Sequence, residues 1–402
     1  MQLLTDRKTD FPIFARHPEL IYLDSAASTQ KPKVVIDALT NFYAHNYGTV
    51  NRAVYKLARE ATDAYQTVRV KVQKLLNASH PEEIIFTRGT TASLNLLARS
   101  FGKAFLHPGD VVIISATEHH SNIVPWQMIC EERGAVLRVI PVDDQGEILF
   151  DEYLELLDDK VKMVSIAHIS NALGILHPIK KVTDAAHECG ACVCIDGAQS
   201  VAHLTLDLQQ LDADFFAFSA HKMYGPTGVG VLYGKSHLLE QMPPIEGGGD
   251  MIERVTMEKT THGAHPVKFE AGTPMIAEVV GLGAAIDYLT TIGLETIAVH
   301  EQELLHYATQ KLLEVDGLRI IGTAPEKGAI ISFVIDGVHP LDIASLLDCK
   351  QVAIRSGHHC SQPTMDRFNL PGTARLSFGL YNALEEIDYL LSSLSSILEL
   401  LR

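Results

Sequence analysis

No stretch of this 402-residue sequence approaches the roughly 18 consecutive apolar residues of a membrane-spanning helix. The opening residues, "MQLLTDRKTDFPIF", carry charges where a secretory signal needs an apolar run. Basic residues are scarce: 33 Lys and Arg stand against 49 Asp and Glu, a formal net charge of -16. That balance argues against nucleic acid or an anionic membrane as the main partner. Cysteine is sparse as well, and six in a chain this long form no disulfide framework. No internal repeat, low-complexity tract or G-x-G-x-x-G after an early strand is present, which removes the dinucleotide-binding fingerprint. Together these absences predict a soluble protein of a reducing compartment, expected in the cytoplasm.

What is present is an ordinary globular composition, 47% hydrophobic and 20% charged, long enough for two or three domains. From about Asp110 short apolar runs alternate with amphipathic stretches. "DVVIISA", "AVLRVIPV", "KMVSIAHIS", "CVCIDGAQ", "DFFAFSAHK" and "GVGVLYG" read as strands, with helices at "NIVPWQMICEERGA" and "IKKVTDAAHECG". Gly134 and Gly190 sit where helix C-caps are expected. Strands apolar throughout and separated by helices predict an α/β fold, its mainly parallel sheet covered on both faces. Ligands of such sheets collect beyond the carboxyl ends of the strands. After Thr273 come two long helices, then strands at "GAIISFVI", "QVAIRSG" and "TARLSFG" and a last amphipathic helix, an α+β unit of its own. The Gly-containing polar stretch 246–274 reads as an excursion or lid.

The strand exits carry the chemistry. In "FSAHKMYGPTG", Lys222 follows a strand directly; it is either a surface lysine or an amine that forms a Schiff base with a carbonyl. Ser219 and His221 beside it would suit a phosphate. In "CIDGAQS", Asp196 is either a helix N-cap or a buried carboxylate facing a cation, such as the ring nitrogen of pyridoxal phosphate, with Gln199 three residues on. In "TRGTTASLN", Thr90 and Thr91 open a helix whose first N–H groups can cradle a phosphate. In "TEHHSNIVPW", His119 and His120 are loop histidines, metal ligands, or a ring to stack on a planar cofactor. In "RSGHHCSQPTM", Cys360 is a nucleophile, a core residue or a metal ligand. Zinc needs three or four ligands in tetrahedral reach, and the adjacent His358 and His359 point apart. Cys189, Cys192 and Cys194, on a helix end and a strand, read as core packing.

The set, taken in order, resembles the SUF-type (group II) cysteine desulfurases of the class V, fold-type I pyridoxal-phosphate enzymes. The likeness rests on "YLDSAAS", "RGTT", "EHHSNIVPW", "SNALG", "DGAQS", "FSAHKMYGPTGVGVLYGK", "EGGGDMI", "FEAGTP", "RSGHHCSQP" and "ARLSFGLYN". It implies a large domain, 17–290, with a seven-stranded sheet, and a small C-terminal domain, 291–402, carrying Cys360 and joined by residues 1–16. It implies that Lys222 holds pyridoxal phosphate through its amine and shuttles protons, and that Asp196 pairs with the pyridine nitrogen and Gln199 with the phenolic oxygen. By the same resemblance His119 stacks on the ring. Thr90, Thr91, Ser219 and His221 cradle the phosphate, with Thr273 reaching over from the second subunit of a homodimer. Asn171 and Arg375 take the substrate carboxylate, the guanidinium as a two-bond fork, and Arg355 lines the same pocket.

Cys360 is then the nucleophile that takes sulfur from L-cysteine as a persulfide, leaving L-alanine, before a SUF acceptor protein removes it for iron–sulfur cluster assembly. Arg355, or a protonated His358 or His359, would favour its thiolate. No metal is implied. Relatives that act on L-selenocysteine or cysteine sulfinate share this site, and a class V aminotransferase would leave Cys360 idle. The chain departs from the family where "VNRAVY" replaces "VHRGIH", placing Asn51 and Tyr55 at two histidine positions, and at Ala92, Ala220 and Ser356. The changes at Asn51, Tyr55 and Ala92 bear on the pocket rim and substrate preference, not on the cofactor.

Overall fold

The computed structural model describes residues 4–401. Seven strands build the main sheet: β1 (Ile84–Thr87), β2 (Val111–Ser115), β3 (Val136–Ile140), β4 (Val161–Ala167), β5 (Cys192–Asp196), β6 (Phe215–Ser219) and β7 (Gly230–Gly234). Their spatial order is β1-β7-β6-β5-β4-β2-β3. The run from β3 to β6 is parallel, and β7 is antiparallel to both neighbours.

Successive side chains of these strands face opposite cores, as the pleat requires. Ile84 and Phe86 join a core with the helices Lys56–Leu76, Ile179–Glu188 and Ile276–Ile292. Ile85, Val112 and Ile114 face the other way, onto the helices Thr90–Phe105 and Val124–Arg133. Both faces are covered, which is why β2 and β6 are buried at every position. β3 is the open edge, and its Val136 and Val139 are exposed. Gly134 ends its helix in the left-handed region, as the sequence predicts (φ 68°).

Four more strands, β8 (Leu318–Ile321), β9 (Ile330–Ile335), β10 (Arg355–Gly357) and β11 (Thr373–Ser377), form an antiparallel sheet in the order β8-β9-β11-β10. Helices Leu294–Leu312, Pro340–Asp348 and Leu384–Leu401 pack on it. Ile21 and Leu23, near the start of the chain, belong to this second core, and Ile21–Tyr22 pairs in parallel with Val352–Ala353. Phe11 stacks edge-on against Tyr288 and Tyr381 and tilts onto Tyr224, so the first residues pack where the two units meet. Within 246–274 the chain forms a short hairpin, Ile252–Val255 with Thr260–His262, and Met257 at its tip is exposed. Among the described residues no single helix is long and apolar enough to cross a membrane.

Candidate active site

β1 and β6 are both antiparallel to β7, so they run the same way. The carboxyl ends of β1, β2, β4, β5 and β6 therefore open on one edge. From those ends come Thr90 and Thr91, His119, Asn171, Asp196 with Gln199, and Ser219, His221 and Lys222. The small sheet supplies Arg355 and Arg375, which are register partners on β10 and β11, and Cys360 just past β10. All twelve side chains line one cavity of about 190 Å³. Thr273 stands apart, in a larger open cavity of about 1120 Å³. Thr90, Thr91, Ser219 and His221 lie between the two and line both.

Lys222 occupies the short turn after β6. No hydrogen bond or ion pair holds its amine among the described residues. Burial lowers its pKa to about 8; Asp196 and Cys360 pull it up, and Arg375 and Arg355 push it down. A fraction of the amine is thus neutral near pH 8, the state a nucleophilic lysine needs. Asp196 ends β5 and accepts the Ala198 N–H at 2.9 Å. Burial raises its pKa, and the Ala198 N–H and the Lys222 charge oppose the rise. Gln199 donates to the Ala26 carbonyl at 2.8 Å, which fixes its amide over the pocket.

His119 accepts the Ser121 N–H on Nδ1 at 3.0 Å, so the neutral ring carries its proton on Nε2. Burial, reinforced by Lys222, presses its pKa down to about 3. The ring is uncharged at any working pH.

The helix Thr90–Phe105 begins without a side-chain cap. The Thr90 N–H donates instead to Ser219 Oγ at 2.7 Å, and Thr90 Oγ1 meets the same oxygen at 2.8 Å. This approach of β6 to the helix start requires glycine twice. Gly89 has φ 145°, and a Cβ on Gly230 would lie 2.5 Å from Gly89 Cα. A helix N-terminus with free N–H groups beside hydroxyls is an anion site. His221 accompanies it as a neutral ring. Its pKa is lowered to about 4 by burial and by Lys222 and Lys31.

Cys360 sits on a strained turn: His359 (φ 53°) and Cys360 (φ 57°) are both left-handed, which costs about 1–2 kcal/mol each in an L-residue. Hydrogen bonds hold the turn there. The Asn171 side chain donates to the His359 carbonyl at 2.6 Å and accepts from Ser361 Oγ at 3.0 Å. The His120 N–H donates to the Cys360 carbonyl at 2.7 Å. His359 is buried against Thr373, and burial drives its pKa to about 3. The expectation that a protonated His359 activates the thiol therefore fails. Arg355, Arg375 and Lys222 are the basic side chains that line the pocket with Cys360.

Arg375 is buried, donates to the Asn171 carbonyl at 2.9 Å and pairs with Asp24 at 3.0 Å. Among the described residues its Nε is buried without a partner. Asp24 was not singled out from the sequence. It lies in the quoted "YLDSAAS", but its pairing spans 351 residues, and nothing local announces it. Ser121, which sets the His119 ring, was likewise passed over. Among the departures, Ala92 lines the larger cavity, Asn51 is left-handed (φ 72°), and Tyr55 is exposed. Cys194 is buried in the core and Cys192 packs beside it.

Comparisons agree with this geometry. The profile of the family Aminotransferase class-V matches residues 21–390. A cysteine desulfurase of Synechococcus elongatus is 49% identical over 393 residues, 97% of this chain and 63% of the relative. One from Dickeya dadantii is 46% identical over 398 residues, 98% of this chain and 96% of the relative. The crystal structure of the cysteine desulfurase CsdA (S-sulfonic acid) from Escherichia coli matches at TM-score 0.93 and 37% identity, covering 100% of this chain and 99% of that one. The chain spans 58% to 65% of the length of the Synechococcus relative and two further relatives. On fold, profile and similarity alike, the chain belongs to the class-V aminotransferase family of pyridoxal-phosphate enzymes.

Proposed function

We propose that this chain is a cytoplasmic, SUF-type (group II) cysteine desulfurase. It takes sulfur from L-cysteine, releases L-alanine, and holds the sulfur as a persulfide on Cys360 for an acceptor protein of iron–sulfur cluster assembly. One observation carries the reading: a cysteine on a strained, hydrogen-bonded turn faces the same 190 Å³ cavity as a buried lysine whose amine has no partner among the described residues.

The residues fit pyridoxal phosphate. An unpaired amine, a buried carboxylate, a neutral imidazole and an uncapped helix start beside Ser219 match its aldehyde, ring nitrogen, ring face and phosphate. Lys222 would hold it, Asp196 and Gln199 would meet the ring atoms, His119 would stack, and Thr90, Thr91, Ser219 and His221 would take the phosphate. Bound there, the cofactor supplies an electron sink for a carbanion at the substrate Cα.

The chain's own groups do the rest. Arg375 lines the cavity, and its guanidinium would take the substrate carboxylate. Lys222, once displaced, takes the Cα proton. Cys360 Sγ attacks the substrate sulfur: an S–S bond forms, the C–S bond breaks, and its electron pair returns to carbon, which is then protonated. Cysteine plus a thiol give alanine plus a persulfide, so no outside oxidant is needed. The 17–290 unit would hold the cofactor and the 291–402 unit the nucleophile.

A homodimer is part of the proposal. Thr273 would reach the partner's phosphate from the open cavity that borders Thr90 and Ser219. Tyr43, Tyr47, Val54 and Tyr55 are exposed apolar side chains. Burial raises the Tyr43 pKa and Glu278, which lines that cavity, adds to the rise, so Tyr43 and its ring neighbour Tyr47 lie near it. The test is alanine and sulfide released from L-cysteine with a reductant. Equal amounts from wild type and none from Cys360→Ala are expected; full activity in the variant would overturn the reading.

A further inference from the structure

Glu118 precedes His119, and among the described residues it forms no ion pair. It is fully buried. Its Oε1 accepts from Ser115 Oγ and from the Ala167 N–H at 3.0 Å, and its Oε2 accepts from Asn122 Nδ2 at 2.7 Å. Asn122 Oδ1 in turn accepts from Trp126 Nε1 at 3.0 Å and Ser165 Oγ at 2.6 Å. Indole N–H is a donor only, so the amide orientation is fixed and its NH₂ must face the carboxylate. Ala167 is the register partner of Asp196. One carboxylate thus ties the turn that carries His119 to the strand end beside Asp196.

We propose that Glu118 is a positioning residue that holds the His119 ring and the Asp196 carboxylate in a fixed relation to each other. It touches neither substrate nor cofactor. Every acceptor of the network meets a donor, as a buried network must if it is to be rigid. Among the described residues Asp196 and Cys194, both on β5, couple electrostatically to Glu118. Burial pushes the Glu118 pKa to about 7, with Asp196 adding to the rise. Its negative charge, where present, favours protonated forms of groups near it. The inference rests on the proposed pyridoxal-phosphate site.

Two variants test it. Glu118→Gln keeps the volume but sets an amide NH₂ against the Asn122 NH₂. Adding Asn122→Asp exchanges carboxylate and amide, so every hydrogen bond is restored while the charge moves one side chain away. The readouts are the affinity of the purified apo-protein for pyridoxal phosphate, the visible circular dichroism of the bound cofactor and the pH midpoint of its visible absorption. The single variant is expected to bind about tenfold more weakly, with reduced visible dichroism and a lowered pH midpoint. The double variant is expected to regain affinity and dichroism but keep a shifted midpoint. A single variant that matches wild type in all three, or a double variant no better than the single, would overturn the inference. A wild type that takes up no pyridoxal phosphate would overturn the proposed function and this inference with it.

Discussion

Replacing Asn171 by alanine separates two roles for that side chain. The resemblance assigns it to the substrate carboxylate. In the structure its amide also holds the turn, donating to the His359 carbonyl and accepting from Ser361 Oγ. His359 and Ser361 are 3% and 0% exposed, so both groups would be left unpaired away from water. Each such loss costs about 1–3 kcal/mol, roughly 2–4 kcal/mol together after relaxation. Holding His359 and Cys360 left-handed costs about 2–4 kcal/mol. The two sums are comparable, so Asn171→Ala removes about as much as the strain costs and should loosen the turn, which the His120 N–H on the Cys360 carbonyl and the His359–Thr373 bond still hold in part. Arg375 stays in place, because it holds the Asn171 main-chain carbonyl. Steady-state kinetics with L-cysteine should show kcat and kcat/KM falling together by about 10- to 100-fold, at about 1.4 kcal/mol per tenfold. An unchanged kcat with a raised KM would mean ground-state binding of the carboxylate, and would refute the positioning argument. Wild-type kinetics would refute it as well.

Other consequences are measurable. Lys222 titrates at about 8 when folded against 10.5 when free. Between those values the unfolded chain binds the extra proton, so stability rises with pH there. The urea midpoint of cofactor-free wild type should climb relative to Lys222→Met across that window, and parallel curves would contradict the lowered pKa. Gly230→Ala would set a Cβ 2.5 Å from Gly89 Cα and 2.6 Å from the Phe218 carbonyl. A stability loss of about 1–3 kcal/mol and weakened pyridoxal-phosphate retention are expected in calorimetry and absorbance; an unaltered melting curve would show that the cradle yields freely.

The main sheet was legible in the sequence because β2, β4, β5, β6 and β7 are almost wholly buried and read as short, mainly apolar runs. Short elements without a long period were not: the helices Phe150–Leu156 and Gln362–Arg367 and the strand β8 went unread. The hairpin inside 246–274 is equally silent, since its residues face solvent and show no alternation. For the site, polar residues at strand exits can be picked out because a parallel sheet sends its carboxyl ends to one edge. What the chain does not announce is partnership. The pairing of Asp24 with Arg375, the engagement of Asn171 with the cysteine turn, and the neutrality of buried His359 all depend on tertiary neighbours far away in sequence.

The central claim is that Cys360 accepts the substrate's sulfur. The direct test is one turnover of the cofactor-loaded protein with L-cysteine in the absence of reductant, followed by mass spectrometry of the peptide that contains Cys360. The account predicts one added sulfur atom on Cys360, removed by a thiol reductant and accompanied by one alanine per site. Alanine formed with Cys360 unmodified, or sulfur carried on Cys349 or another cysteine, would contradict it.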